Sequence, residues 1–459
     1  MKKRRWFAIT DNRFAQGLLM ALTILLASVS QGQEWTRFRG PNGQGIPLFS
    51  CPPPRLTPLL PSEEGKGAGA GKSKKADTIP VKWTEKDYNW KVKLPGGGHS
   101  SPVIWQDKVF VTSGDQKAGR GILLALRVSD GKALWQKEYT LTTYHINKLN
   151  SYATATPAVD ADHIYTLWAT AKQTLLVALD HDGNEVWRRS FEGVHCQHGA
   201  GSSPIVFEDM VVFTHEHEDK YSEGNAQSTW MAVDCKTGQT RWKLPRETSA
   251  KTSYSTPCVY SAATDSPQLI FTSLAHGMTG VDPGTGQVIW EVKSAFMSRV
   301  VSSPVIASGL LIGTCGDGSS GKRLIAIKPG KKDKSAPPIE AYKIDNSSTP
   351  YVPTSLAKDG LLFTFHDRGY VSCLCSATGE QLWREKPAER FYSSPVYVNG
   401  RLYCITIDGE VVVIEAASTY KLLAVNPLRE NSHATAAIAG GRMYLRTFSH
   451  LISIGGKKE

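Results

Sequence analysis

The stretch Ala232-Val233-Asp234-Cys235-Lys236-Thr237-Gly238-Gln239-Thr240-Arg241-Trp242 constrains the fold more than any other, because it recurs along the chain. Gly280 to Trp290, Cys373 to Trp383, Ala125 to Trp135 and Ala178 to Trp187 are variants of it. Each reads as a strand, a tight turn with Gly where a positive φ is wanted, and a return strand closing at Trp.

A second signal alternates with the first. Small hydroxyl residues, usually before Pro, open an apolar run at Ser100-Ser101-Pro102, Ala155-Thr156-Pro157, Ser202-Ser203-Pro204, Ser255-Thr256-Pro257, Ser302-Ser303-Pro304 and Ser393-Ser394-Pro395. Weaker copies are Val352-Pro353-Thr354-Ser355 and Ala434-Thr435-Ala436-Ala437, which makes eight. The prolines recur every 42 to 55 residues, room for four short strands. No helical stripe intervenes, so a parallel α/β sheet is excluded. Eight four-stranded antiparallel sheets predict an all-β, eight-bladed β-propeller, with seven blades as the alternative count. Small residues suit the crowded axis, where the first strands converge. The last repeat ends without a Trp-closing strand, and Asn89 to Leu94 supplies one, so the two chain ends share a blade and no edge is left open.

The flanks read differently. Basic residues precede the apolar run Leu18 to Val29 and small residues follow it, so residues 1–32 are expected to be a cleaved signal peptide. The mature chain is then expected to be periplasmic or secreted. Residues 33–50, with Trp35, Phe38 and a Gly/Pro turn, predict an irregular segment docked on the main domain. Residues 51–80 lose all periodicity and read as a Pro/Gly/Lys-rich linker. The propeller then occupies 81–455, leaving a tail at 456–459. Much of the +11 charge lies in the signal and linker, which argues against a nucleic-acid partner. The eight cysteines are dispersed, without zinc-type spacing, and read as mostly free thiols.

The repeated Ala/Gly-Val-Asp…Thr-Gly…Trp unit resembles the tryptophan-docking repeat of PQQ-like, quinoprotein-type eight-bladed propellers. Trp35 to Gly45 is similar to the opening of PQQ-like propeller proteins from planctomycete-type bacteria. The resemblance implies that each Trp packs on the Gly-bearing turn of a neighbouring blade. Trp90, Trp135, Trp187, Trp242, Trp290 and Trp383 are then structural docking residues, with Tyr342 and Leu422 in their place in two weaker blades. It also implies two functional classes: enzymes that oxidise alcohols or sugars with pyrroloquinoline quinone and calcium, and BamB-like assembly factors without that chemistry. The vicinal Cys pair common in the alcohol dehydrogenases is absent, and no calcium-ligating Glu/Asn pair aligns. The expectation is therefore an exported binding or scaffolding module with envelope protein or peptide partners. The alternatives are a PQQ/calcium oxidoreductase with a divergent site and an envelope metal-binding protein.

Antiparallel order places ten of the twelve histidines on or near one face, that of the interblade connections: His99, His145, His195, His198, His215, His217, His276, His366, His433 and His450. The densest group, His195, His198, His215 and His217, is the candidate metal site, since imidazoles at i, i+2 of an extended segment share a side. Its alternative is a solvated polar rim. Arg299, Arg368 and Arg390 are placed on the same face as possible carboxylate receptors. No Ser/His/Asp triad, nucleophile elbow or phosphate-cradling loop is legible.

Overall fold

The structure is a computed structural model that describes residues 34–47 and 79–456, apart from 145, 223–225, 263–264, 319 and 348. The expected signal peptide, nearly all of the linker, His145 and most of the short tail lie outside the described residues.

The described chain forms eight separate four-stranded antiparallel sheets. Blade one runs from Val103–Trp105 to Ala133–Thr140, and each of the next six blades likewise uses four consecutive strands. Blade eight is composite. Its strands Ala437–Ala439, Arg442–Arg446 and His450–Gly455 are completed by Tyr88–Lys93, which pairs Trp90 with Ser453 and Lys93 with His450. Both ends of the propeller therefore meet in one sheet, as the missing closing strand requires.

The blades are joined at the axis by a closed ring of hydrogen bonds. The backbone N–H of Ser101 donates to Thr156 Oγ1 (2.9 Å), and that of Thr156 to Ser203 Oγ (3.0 Å). Ser203 donates to Thr256 (3.4 Å), Thr256 to Ser303 (3.1 Å), and Ser303 to Thr354 (3.0 Å). Thr354 donates to Ser394 (3.0 Å), Ser394 to Thr435 (3.0 Å), and Thr435 returns to Ser101 (3.2 Å). The hydroxyl of the small-residue motif is thus what the axis selects. A buried backbone N–H with no ladder partner must find an acceptor, and a short side-chain oxygen supplies it.

A second, outer girdle is made by aromatic residues. Trp187 Nε1 donates to Cys235 O in the next blade (2.8 Å), and a Cβ on Gly238 would lie 2.7 Å from the Trp187 ring. Gly238 also has φ 68°, so the turn needs glycine twice over. Trp90 to Val128 O, Trp135 to His181 O, Trp242 to Pro283 O and Trp383 to Ala417 O repeat the contact. The Tyr342 hydroxyl does the same to Ser376 O. Trp290 differs: it lies by Gly330 but donates to Gln268 within its own blade.

Leu422 does not take the docking position in blade seven. It pairs with Ile414 and is 42% exposed, whereas the register that opposes Ala232 to Trp242 opposes Val413 to Ala424 here. An alanine leaves the space that an indole fills elsewhere. Trp83, from the stretch preceding the composite blade, packs there instead, stacked on Tyr403 at 6.5 Å, and its backbone N–H donates to Asn426 Oδ1.

Candidate functional site

Segment 34–47 closes one end of the axis. The first strand of each blade is an edge, with unpaired backbone groups facing inward. Trp35 exchanges both backbone hydrogen bonds with Ile104, Thr36 O accepts from Val159 N, and Gly45 O accepts from Tyr397 N. Asn42 uses its amide to pair both ways with Val259, and Gln44 Oε1 accepts from Ile306 N. The guanidiniums of Arg37 and Arg39 are buried and donate to Pro257 O and Ser355 O. Burial lowers Arg37 to about 10 and Arg39 to about 9, which leaves both charged at neutral pH. The segment is thus held by polar bonds to strand edges and by the buried Trp35 indole, and its Phe38 lines the axial space.

On the other side of Phe38 a cavity of ≈ 610 Å³ opens towards the interblade connections. Six members of the hydroxyl ring line it, with Tyr254, Tyr351 and Tyr392 and with His99, His198 and His433. Its charged groups are paired. Lys251 Nζ lies 2.6 Å from Asp317 Oδ2, and buried Arg299 lies 3.1 Å from the Glu218 carboxylate while also reaching Gln197 Oε1 at 3.2 Å. Glu218 further accepts from Gln197 N and Thr252 Oγ1, so its oxygens are satisfied. Asp367 sits behind the wall, accepting from Tyr351 N and Val352 N, and burial pushes it up to about 6.

The histidines separate into two groups. His99 and His433, on opposite sides of the ring closure, stack at 4.2 Å, and Tyr392 packs edge-on against His433 at 5.1 Å. Burial lowers both imidazoles, and for His99 the neighbouring His433 and Arg446 add repulsion. His198 joins them in the cavity wall. His195, His215 and His217 cluster beside the cavity, with ring centroids 5.6 Å and 4.8 Å from His217. His276 lies against Glu291, His366 Nε2 donates to Ser347 O, and His450 meets Glu430, each within its own blade region. Arg299 reaches the cavity wall, whereas Arg368 and Arg390 do not line it.

Two of the three clustered imidazoles have a ring nitrogen already engaged. His217 Nδ1 accepts from His195 N–H at 3.3 Å, which leaves the ring proton on Nε2. His215 Nε2 donates to Glu192 O at 2.9 Å. His198, the fourth candidate, stands apart in the cavity wall. Among the described residues no group of three His, Cys, Asp or Glu side chains is arranged to hold a metal ion.

The cluster has a pH signature instead. Burial pushes His217 down to about 4, with His215 and His195 adding repulsion. Below the ordinary value of 6.5 the unfolded chain binds a proton that the folded ring refuses, so stability falls as pH drops from 7 towards 4. Buried Glu216, pushed up to about 7 by desolvation, acts oppositely: its contribution is lost as pH rises from 4.5 through 7. Replacing His217 with Asn keeps an acceptor near Nδ1 but removes the titration. Urea denaturation at pH 7 and pH 4 should show the variant losing about 2 kcal/mol less than the wild type over that interval. Identical losses would refute this assignment.

Pyrroloquinoline quinone with calcium does not fit the residues present. Calcium takes several oxygen ligands, carboxylates among them. Among the described residues the lining offers one carboxylate, Asp317, and it is committed to Lys251. Arg299, the guanidinium in the wall, is committed to Glu218.

Residues 121–334 and 346–453 match the family described as outer membrane protein assembly factor BamB. The chain belongs to that family. The propeller is similar to BamB from Moraxella catarrhalis, at 15% identity and TM-score 0.53, with 80% of this chain and 97% of that one covered. It is also similar to the quinohemoprotein alcohol dehydrogenase from Comamonas testosteroni, at 12% identity and TM-score 0.60, covering 95% and 83%. A europium-containing methanol dehydrogenase matches at 11% identity and TM-score 0.52, covering 86% and 91%. At these identities the likeness to solved structures is one of fold. No curated protein matches the chain in sequence.

Several lining groups of this BamB-family propeller were not singled out by sequence reasoning. Gln197, Lys251, Tyr254, Tyr351 and Tyr392 come from interblade connections and Asp317 from the end of a second strand, where no periodicity marks them. The one available signal was position: Tyr254 and Tyr392 stand two residues before a ring hydroxyl residue, Thr256 and Ser394.

Proposed function

We propose that the protein is a binding module of the cell envelope, working through the face that carries the interblade connections and without catalysis of its own. The observation that carries this reading is the blind cavity: it is open at that face, closed behind by Phe38, and its charges are already paired. A pocket of several hundred Å³ with a few convergent polar groups is the usual form of a ligand site. Family membership supports the same reading, since the family is named for an assembly factor. Exposed Leu149, at the mouth of the cavity, is the place to test it.

Cross-linking in intact envelopes should yield a defined adduct with the wild-type protein and at least tenfold less with Leu149→Glu, at equal abundance. Adducts that do not respond to mouth substitutions would remove the cavity face from the reading. A parallel titration with pyrroloquinoline quinone plus calcium, with dye-linked oxidation as readout, is expected to show neither saturation nor turnover. Turnover would replace the binding module with an oxidoreductase.

A further inference from the structure

We propose that the cavity takes a neutral, polyhydroxylated ligand, the end of an uncharged glycan chain. This rests on the binding-module reading above and names the chemical class of what is bound. Three independent features of the wall lead to it.

The first is charge. A site for an anion or a cation keeps an uncommitted opposite charge, because a desolvated ion needs a partner. Here Lys251 is bound to Asp317 and Arg299 to Glu218. Burial also lowers His99, His198 and His433, so their rings are neutral at pH 7. A neutral imidazole is a donor at one nitrogen and an acceptor at the other, which is the complement of a sugar hydroxyl.

The second is the hydroxyl ring. Each ring oxygen already accepts one backbone N–H, as in Thr156 from Ser101 and Ser394 from Thr354. A hydroxyl has one proton to give as well as lone pairs to receive. Among the described residues none of the ring hydroxyls is seen donating to a protein acceptor. Six of them line the cavity, so its lower wall presents O–H donors with nowhere else to point them. A ligand rich in hydroxyl oxygens satisfies them; an aliphatic side chain does not.

The third is the combination of aromatic surface and shape. Tyr254, Tyr351 and Tyr392 line the wall and Phe38 closes the end. Aromatic rings with a polar tip offer an apolar face to the C–H side of a pyranose and a hydrogen bond at its edge. The cavity is blind and ≈ 610 Å³, so a chain enters by one end and stops at Phe38. A peptide partner favours apolar subpockets for its side chains, and among the described residues the aliphatic lining is Leu149, Val301 and Val352.

The test uses the mature full-length protein on an array of immobilised neutral and uronic-acid glycans, with random peptides on the same surface. Binders are then titrated in solution. The expected result is saturable binding to neutral glycans and at least tenfold weaker binding to the uronic-acid counterpart of the same linkage. Tyr392→Ala and His198→Ala should each weaken binding about tenfold, while Tyr392→Phe, which keeps the ring, stays within about threefold. Urea midpoints equal to the wild type show that the variants are folded. Binding of anionic glycans or peptides alone, sensitive to Tyr392→Ala, would overturn the neutral-glycan assignment and leave the binding module standing. Binding of no array member, together with cross-links indifferent to Leu149→Glu, would overturn both.

Discussion

Replacing Trp242 with Ala is expected to destabilise the propeller by about 3–5 kcal/mol, the range for removing a buried large aromatic. The indole is buried, sits over Gly286 of the next blade and donates to Pro283 O at 2.7 Å. Its loss leaves a cavity between two sheets and a carbonyl without its partner. Leu422→Ala is the matched comparison. Although the repeat aligns Leu422 near the same position, it is largely exposed and should change stability by less than about 0.5 kcal/mol. Urea denaturation of the two variants decides the matter. Similar losses would mean that the girdle is not where the blades are tied together.

The second large effect is expected at Arg446, which stands where the last blade meets the first. Its side chain is fully buried, and Nη1 donates to Ser100 O at 2.9 Å and Thr112 O at 2.7 Å, both in the blade-one region. It also bonds the Ser100 hydroxyl. Burial lowers this guanidinium to about 9, with Glu430 opposing the fall, so it is still protonated at pH 7. Arg446→Met removes a costly buried charge but strands the Ser100 carbonyl, at about 1–3 kcal/mol, and takes one of two donors from Thr112 O, which keeps the Ser100 hydroxyl. A net loss of about 2–4 kcal/mol is expected. Hydrogen exchange should quicken first in Tyr88–Lys93 and its partner strand, because they close the ring. Uniform exchange across all blades would show that the junction is no weaker than the rest.

The architecture was legible because both repeated signals are local: a turn that needs glycine and an aromatic that needs a neighbour. Even the composite blade could be read, since one unit lacked its last strand. What the hydroxyl motif does was not legible. Ser and Thr at 101, 156, 203, 256, 303, 354, 394 and 435 look merely small until neighbouring blades are placed side by side. Leu422 was misplaced because the turn of blade seven is one residue longer than that of the clearest repeat: Val413 opposes Ala424, whereas Ala232 opposes Trp242. The indole that fills the gap, Trp83, lies more than three hundred residues away in sequence. In the candidate site, sequence grouped His198 with His195, His215 and His217 by proximity along the chain. The fold puts His198 in the cavity wall and leaves the other three beside it.

Around the axis, each blade gives one backbone hydrogen and receives one, always in the same direction. No blade is therefore a terminus in that circuit, and any blade is compatible with any other as a neighbour. A repeat could be duplicated or lost in the history of such a chain without creating a mismatched join at the centre. Blade number is then left to the wedge angle at which successive sheets pack. Segment 34–47 lacks that tolerance, because it is fitted to particular strand edges around the circle. In this protein the plug, and not the ring, is what ties the axis to a count of eight.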